Sequence, residues 1–222
     1  MNSKSNDLII NVPLVIVTMI TVCLTITAPL TNAMDRNHSH NLNKVIGDIN
    51  VHEGEQMGDL KSVNGSIYLD NSAIAEDVST VNGSIKIDDS VTLASVETVN
   101  GSIRAGTNLQ VEGNVKTVNG GITLRAGSTV NEVATVNGDI DLTMTQVEED
   151  VTTLNGNITL TESSKVQGDI VFDEVRKYFD RSIPTLTIDA TSSVGGTIHL
   201  YQKVRLKISE SASVGEIIHH YN

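Results

Sequence analysis

Apolar and polar residues along this chain fall into short alternating bursts that return every 18 residues, with one step of 19. The clearest frame is Val63-Asn64-Gly65-Ser66-Ile67. It returns as Val81 through Ile85, Val99 through Ile103, Val118 through Ile122, Val136 through Ile140 and Leu154 through Ile158. An earlier copy, Val45 through Ile49, keeps the frame without the Asn-Gly pair. Counting the leading residue as slot one, slot five is always Ile, and slot seven is Val51, Leu69, Ile87, Ala105, Leu124, Leu142 and Leu160. These slots flank a polar residue, the period-two signature of a strand with one buried face. A second apolar pair follows in the coil, such as Leu93 with Val96 or Val130 with Val133, and predicts a third wall. A short period with one constant corner and one constant apolar slot predicts stacked coils, each a single structural unit.

The corner is the Asn-Gly pair, at Asn64, Asn82, Asn100, Asn119, Asn137 and Asn155. Glycine there is expected to take positive φ at no steric cost, and Asn to tolerate turn conformations. Coils stacked at about 4.8 Å bring identical residues above one another. The six Asn are therefore expected to form an amide ladder, and the slot-five Ile a continuous apolar column. The one extra residue, near Gly113 and Asn114, is expected as a bulge at a corner. Asn-Gly is also a hairpin signal, so an antiparallel meander is the rival reading. A meander needs a second tight turn per repeat. Asp70-Asn71-Ser72 supplies one, whereas Leu142-Thr143-Met144-Thr145 does not.

After Ile170 the frame breaks and then returns. Val166 through Ile170 is echoed by Val194 through Ile198 and by Val214 through Ile218, while Ile158 and Leu160 match Leu186 and Ile188, then Leu206 and Ile208. Between the copies, an insertion at 171–184 carries Val175, Tyr178, Phe179 and Ile183 at helical spacing, which predicts a short amphipathic helix or loop. The expected fold is all-β: a single-stranded β-solenoid of about nine short coils over residues 45–222, right-handed winding favoured, with this small insertion.

Residues 1–33 follow a different pattern. Lys4 precedes a largely apolar stretch from Leu8 to Ile26, and Thr31-Asn32-Ala33 supplies small residues, the order of a cleaved secretory signal peptide. Asn11 and Pro13 interrupt the apolar run, which disfavours a permanent membrane helix. The only cysteine, Cys23, lies in this segment, so disulfides and thiolate metal sites are not expected in the folded body. Residues 34–44 are expected as a flexible polar segment. The net charge of −12 argues against nucleic acid and anionic lipid as partners, and an aromatic content of 3% is too low for stacking platforms. The protein is expected to be exported, to the periplasm, the outer surface or the medium.

Gly47-Asp48-Ile49 and Gly168-Asp169-Ile170, with the short coils around them, resemble the coils of bactofilins, polymer-forming bacterial β-helix proteins. The tandem Val-Asn-Gly-Ser-Ile coils are similar to exported bacterial repeat proteins of putative-adhesin type. Together these resemblances cover about residues 45–218 and imply head-to-tail assembly or surface adhesion. They part from bactofilins at the apolar N-terminus, because bactofilins are characteristically cytosolic.

Candidate chemistry is sparse. His199 and His219, with Tyr201 and Tyr221, fall at equivalent places in the last two coils, but no zinc-binding frame accompanies them. Asp70, Asp88 and Asp89 sit at adjacent corners, in a column that decays to Gly106, Arg125 and Thr143 and lacks a calcium-loop repeat. Asp139 and Asp141 share an outward face with Asn157 and Thr159, the arrangement a polysaccharide-cleaving β-helix would need. Ser66, Ser84 and Ser102 repeat with the corner, as a unique nucleophile would not. The reading is therefore non-enzymatic, without cofactor or metal. An exported solenoid acts in adhesion, envelope scaffolding or self-assembly, with itself or an envelope component as partner. Polysaccharide binding or cleavage is the alternative. Tyr178 and Phe179 are the candidate partner contacts outside the coils.

Overall fold

The computed structural model describes residues 40–174 and 183–221. The signal-peptide reading of 1–33, residues 34–39, and Tyr178 and Phe179 of the insertion lie outside the described residues.

Two sheets run the length of the stack, and every strand pair in them is parallel. The first contains His40–Ile46, Met57–Asn64, Ile74–Asn82, Thr92–Asn100, Gln110–Asn119, Thr129–Asn137, Val151–Asn155, Ile170–Phe172, Ile198–Leu200 and Ile217–His219 in spatial order. The second, narrow wall contains Ile49–Val51, Ile67–Leu69, Ile85–Ile87, Ile103–Ala105, Ile122–Leu124, Ile140–Thr143, Ile158–Thr161, Thr185–Ile188 and Arg205–Ile208. Sequence neighbours thus alternate between walls, and spatial neighbours lie one coil apart. This is a β-solenoid of about ten turns, on the order of 45 Å long at the usual strand spacing. The antiparallel meander is excluded, since Asn64 pairs with Asn82 and Ile67 with Ile85 in parallel register.

Each turn is three-sided because the long strands bend. In Ile74–Asn82 the residues Ala75 and Val78 are both buried while Glu76 and Asp77 between them are exposed, which breaks the alternation and opens a corner. Ala75, Leu93, Val111, Val130, Val147, Val166 and Val194 form the inward column of this third side. From Gln146 on, the bend separates the strands outright, as Gln146–Val147, Lys165–Val166 and Ser193–Val194. The extra residue of the fourth coil is taken up at this bend. Val111 pairs with Leu93 and Val115 with Val96, so three residues face two.

The core is a set of vertical columns. Ile49, Ile67, Ile85, Ile103, Ile122, Ile140 and Ile158 are fully buried in unbroken register, continued by Leu186. The stack resumes in register across the insertion, since Ile170 pairs with Ile198 and Val166 with Val194. Val171 and Phe172 belong to a buried strand, so the chain leaves the wall two residues later than the pattern indicates. The last turn also differs. Ile198 pairs with Ile217, not Ile218, because the link from Val214 is one residue shorter than the link from Val194. Residues 40–44, read as flexible, form most of the first strand and pair with Met57–Asn64. Only Leu42 among them packs on the core, and backbone pairing rather than a side-chain pattern holds this edge.

The corner after the narrow wall uses left-handed backbone. Ser72, Ser90, Asn108, Met144 and Ser163 have positive φ, as do Gly54 and Gly127 in the same column. Near its C-terminal end Asp189 braces this corner, accepting hydrogen bonds from the backbone N–H groups of Glu162, Thr191 and Ser192. Burial alone would raise its pKa, but these bonds outweigh it and hold the carboxyl well below the usual range. Met144, at φ 47°, has no side chain suited to that conformation and is half exposed. Met144→Gly is expected to raise stability by about 0.5–1 kcal/mol, read from the urea midpoint by far-UV circular dichroism.

Candidate functional site

The Asn-Gly corner is the most regular surface of the molecule. Asn82 Nδ2 donates to Asn64 Oδ1 at 2.9 Å, and the same bond joins Asn100 to Asn82, Asn119 to Asn100, Asn137 to Asn119 and Asn155 to Asn137 at 2.8–2.9 Å. Each of the four inner amides donates to one neighbour and accepts from the other, so one exposed ladder spans six turns. Beside it runs a second polar file. Ser66 Oγ accepts from Ser84 N–H and Ser84 Oγ from Ser102 N–H, both at 3.2 Å, and Asp139 Oδ1 accepts from Asn157 N–H at 2.8 Å.

The glycines of the corner serve stacking rather than left-handed backbone. Positive φ among glycines occurs only at Gly47, Gly54 and Gly127, so the expectation for the Asn-Gly glycines is corrected. A Cβ at Gly83, Gly101, Gly120, Gly138 or Gly156 would instead drive into the carbonyl of the corner glycine one turn before. Those carbonyls have a further partner that pattern reading misses. Thr80 Oγ1 donates to Gly65 O at 2.8 Å, Thr98 to Gly83 O, Thr117 to Gly101 O and Thr135 to Gly120 O at 2.9–3.0 Å. The threonines are buried, and the hydroxyl two residues before each Asn recurs from Ser62 to Thr153. At the two ends of this file the hydroxyls of Ser62 and Thr153 find no partner among the described residues.

His199 lies beside Ile218, so its ring meets His220 and not His219: His199 Nδ1 and His220 Nε2 are 3.0 Å apart. Tyr201 stacks on His220 with ring centroids 4.1 Å apart, and Asp169 Oδ2 lies 3.4 Å from His199 Nε2. His219 contacts Tyr221 instead. Among the described residues no group of three or more His, Cys, Asp or Glu side chains is arranged to hold a metal ion. Asp70 sits 3.8 Å from His52, Asp88 pairs with Lys86, and Asp89 accepts from Thr107 N–H at 2.6 Å. Asp139 is engaged by Asn157 through both backbone and side chain, and Asp141 lies on the outward face one strand from Thr159.

The ends of the stack complete the picture. Among the described residues, His40–Ile46 and Ile49–Val51 have a strand neighbour on one side only, as do Ile217–His219 and Arg205–Ile208 at the other end. Leu206, in register with the fully buried Leu186, is 36% exposed at the C-terminal end, and at the other end Val45 and Ile46, the latter in register with the outward-facing Asn64, are 59% and 81% exposed. No helix among the described residues is long and apolar enough to cross a membrane.

No family model, curated protein or solved structure matches the chain.

Proposed function

We propose that this protein is an exported, non-enzymatic scaffold whose copies join end to end and present flat polar faces to a cell-envelope or surface component. The observation that carries this reading is the pair of open ends. Among the described residues both sheets finish at each end on a strand with a neighbour on one side only, and at the C-terminal end Leu206 of the core column is partly uncovered. Because every strand pair is parallel, the C-terminal edge of one copy can continue both sheets into the N-terminal edge of the next without inverting the chain. Such a contact joins two different surfaces, so it does not close on itself and grows into a filament.

Two further features support the reading. The resemblance of the Gly-Asp-Ile and Val-Asn-Gly-Ser-Ile coils to bactofilins and to adhesin-type repeat proteins points to assembly or attachment, and the apolar order of residues 1–33 points to export. The outward faces carry Thr, Ser and Asn in files, and the carboxylates raised as catalytic candidates are occupied at corners or stand open to solvent.

Negative-stain electron microscopy and light scattering of the purified protein test this directly. Filaments or end-joined rods are expected, shortened by Ile46→Lys, which puts a charge on the exposed N-terminal edge. Single short rods at the highest soluble concentration would overturn the assembly reading.

A further inference from the structure

The outward side of the narrow wall is not uniform. In its N-terminal half the paired positions on three successive strands are Tyr68, Lys86 and Arg104, all exposed. The corner file beside them runs Asp70, Asp88, Gly106, Arg125. Gly106 contributes no side chain, and the carboxylate of Asp89 leans over it into the space a Cβ would take. The result is a groove of about 760 Å³ lined by Tyr68, Lys86, Asp88, Asp89, Arg104 and Arg125.

The charges in this groove are unequally committed. Lys86 Nζ lies 3.0 Å from Asp88 Oδ1, so those two largely satisfy each other. Asp89 accepts from the Thr107 N–H, a bond that holds its pKa below the ordinary carboxylate value and keeps it ionised. Arg104 has no hydrogen bond or ion pair from its guanidinium among the described residues. On a chain of net charge −12, this places an uncommitted guanidinium at the centre of a groove that also offers an aromatic ring and hydrogen-bond acceptors.

A guanidinium recognises a carboxylate through two parallel N–H donors. Tyr68 offers an apolar ring face with a polar tip, the surface on which a sugar ring stacks. Asp88 and Asp89, with the Asn71 side chain beside them, accept hydrogen bonds from sugar hydroxyls. The strand spacing, about 4.8 Å, sets these groups in a row along the stack. We propose that this groove binds a carboxylate-bearing, uronate-type polysaccharide, with Arg104 anchoring the carboxylate and Tyr68 carrying the sugar ring. The site does not depend on end-to-end assembly, so the two readings fail separately.

The test is calorimetric titration of the full-length chain with oligogalacturonate, alongside neutral dextran and dextran sulfate. Oligogalacturonate is expected to bind and dextran not to. Arg104→Gln should weaken binding by about tenfold or more, the size of a charge-assisted hydrogen bond. Tyr68→Ala should also weaken it, while Lys165→Gln, at an exposed site on the third side, should bind as the parent does. Circular dichroism of each variant should be unchanged, because all three side chains are exposed. Absence of oligogalacturonate binding, or equal binding by Arg104→Gln, would overturn the site. Equally tight binding of dextran sulfate through Arg104 would overturn its assignment to carboxylates.

Discussion

Ile103→Asp is expected to destabilise the protein by about 4 kcal/mol, enough to leave the middle of the stack unfolded under conditions where the parent is native. Ile103 is completely buried, with Ile85 paired on one side and Ile122 on the other. An aspartate there either ionises in an apolar column with no cation in reach or remains protonated with its hydrogen bonds unmade. Loss of the packed isoleucine adds its own cost, about 2 kcal/mol or more. Stability in a stacked array is mostly a sum over adjacent coils, so the damage should be local at first. Urea denaturation followed by far-UV circular dichroism should lose its single sharp transition and show the flanking coils melting separately. Thr92→Asp, at an exposed position one coil earlier, should stay within about 0.5 kcal/mol of the parent. Equal effects from the two substitutions would show that slot five does not face the core.

That column was legible in the sequence because buried apolar positions in a strand repeat at two residues and buried columns in a solenoid repeat at one coil. Ile67, Ile85 and Ile103 satisfy both periods at once. The Asn ladder was legible for the same reason, since identical side chains at equal steps must meet if the coils stack in register. The buried threonines were harder to see. A hydroxyl in an alternating strand reads as a solvent-facing residue, and only the path of the chain around the corner shows that Thr80 points inward at Gly65 O. The last turn was misread by one residue because Ile217 and Ile218 are interchangeable in a pattern; backbone pairing decides between them. The groove on the narrow wall left no periodic signal at all. Tyr68, Lys86 and Arg104 are chemically unlike one another, so a search for repeats passes over them, and they become a set only through strand pairing.

The corner glycines give the second large effect. Gly120→Ala should cost about 3 kcal/mol, although alanine is ordinarily among the gentlest replacements for glycine. The clash is steric and between coils. Gly120 does not occupy the left-handed region, so its own backbone conformation suits an L-residue. Its Cβ, however, would overlap the carbonyl oxygen and carbon of Gly101, and its own carbonyl lies where a Cβ on Gly138 would go. Both atoms it meets are backbone, so relief requires these two strands to separate, and separation stretches the Asn119–Asn100 step of the ladder and the bond from Thr117 to Gly101 O. Gly47→Ala provides the contrast. Gly47 has φ +105° and nothing within 4 Å of its Cβ position, so its replacement should cost only the backbone strain of that conformation, on the order of 1–2 kcal/mol. Urea midpoints of the two variants, measured side by side, decide which property of glycine the repeat requires. A Gly120→Ala protein as stable as the parent would mean that the corners do not stack in contact, and the close approach of successive turns would have to be abandoned.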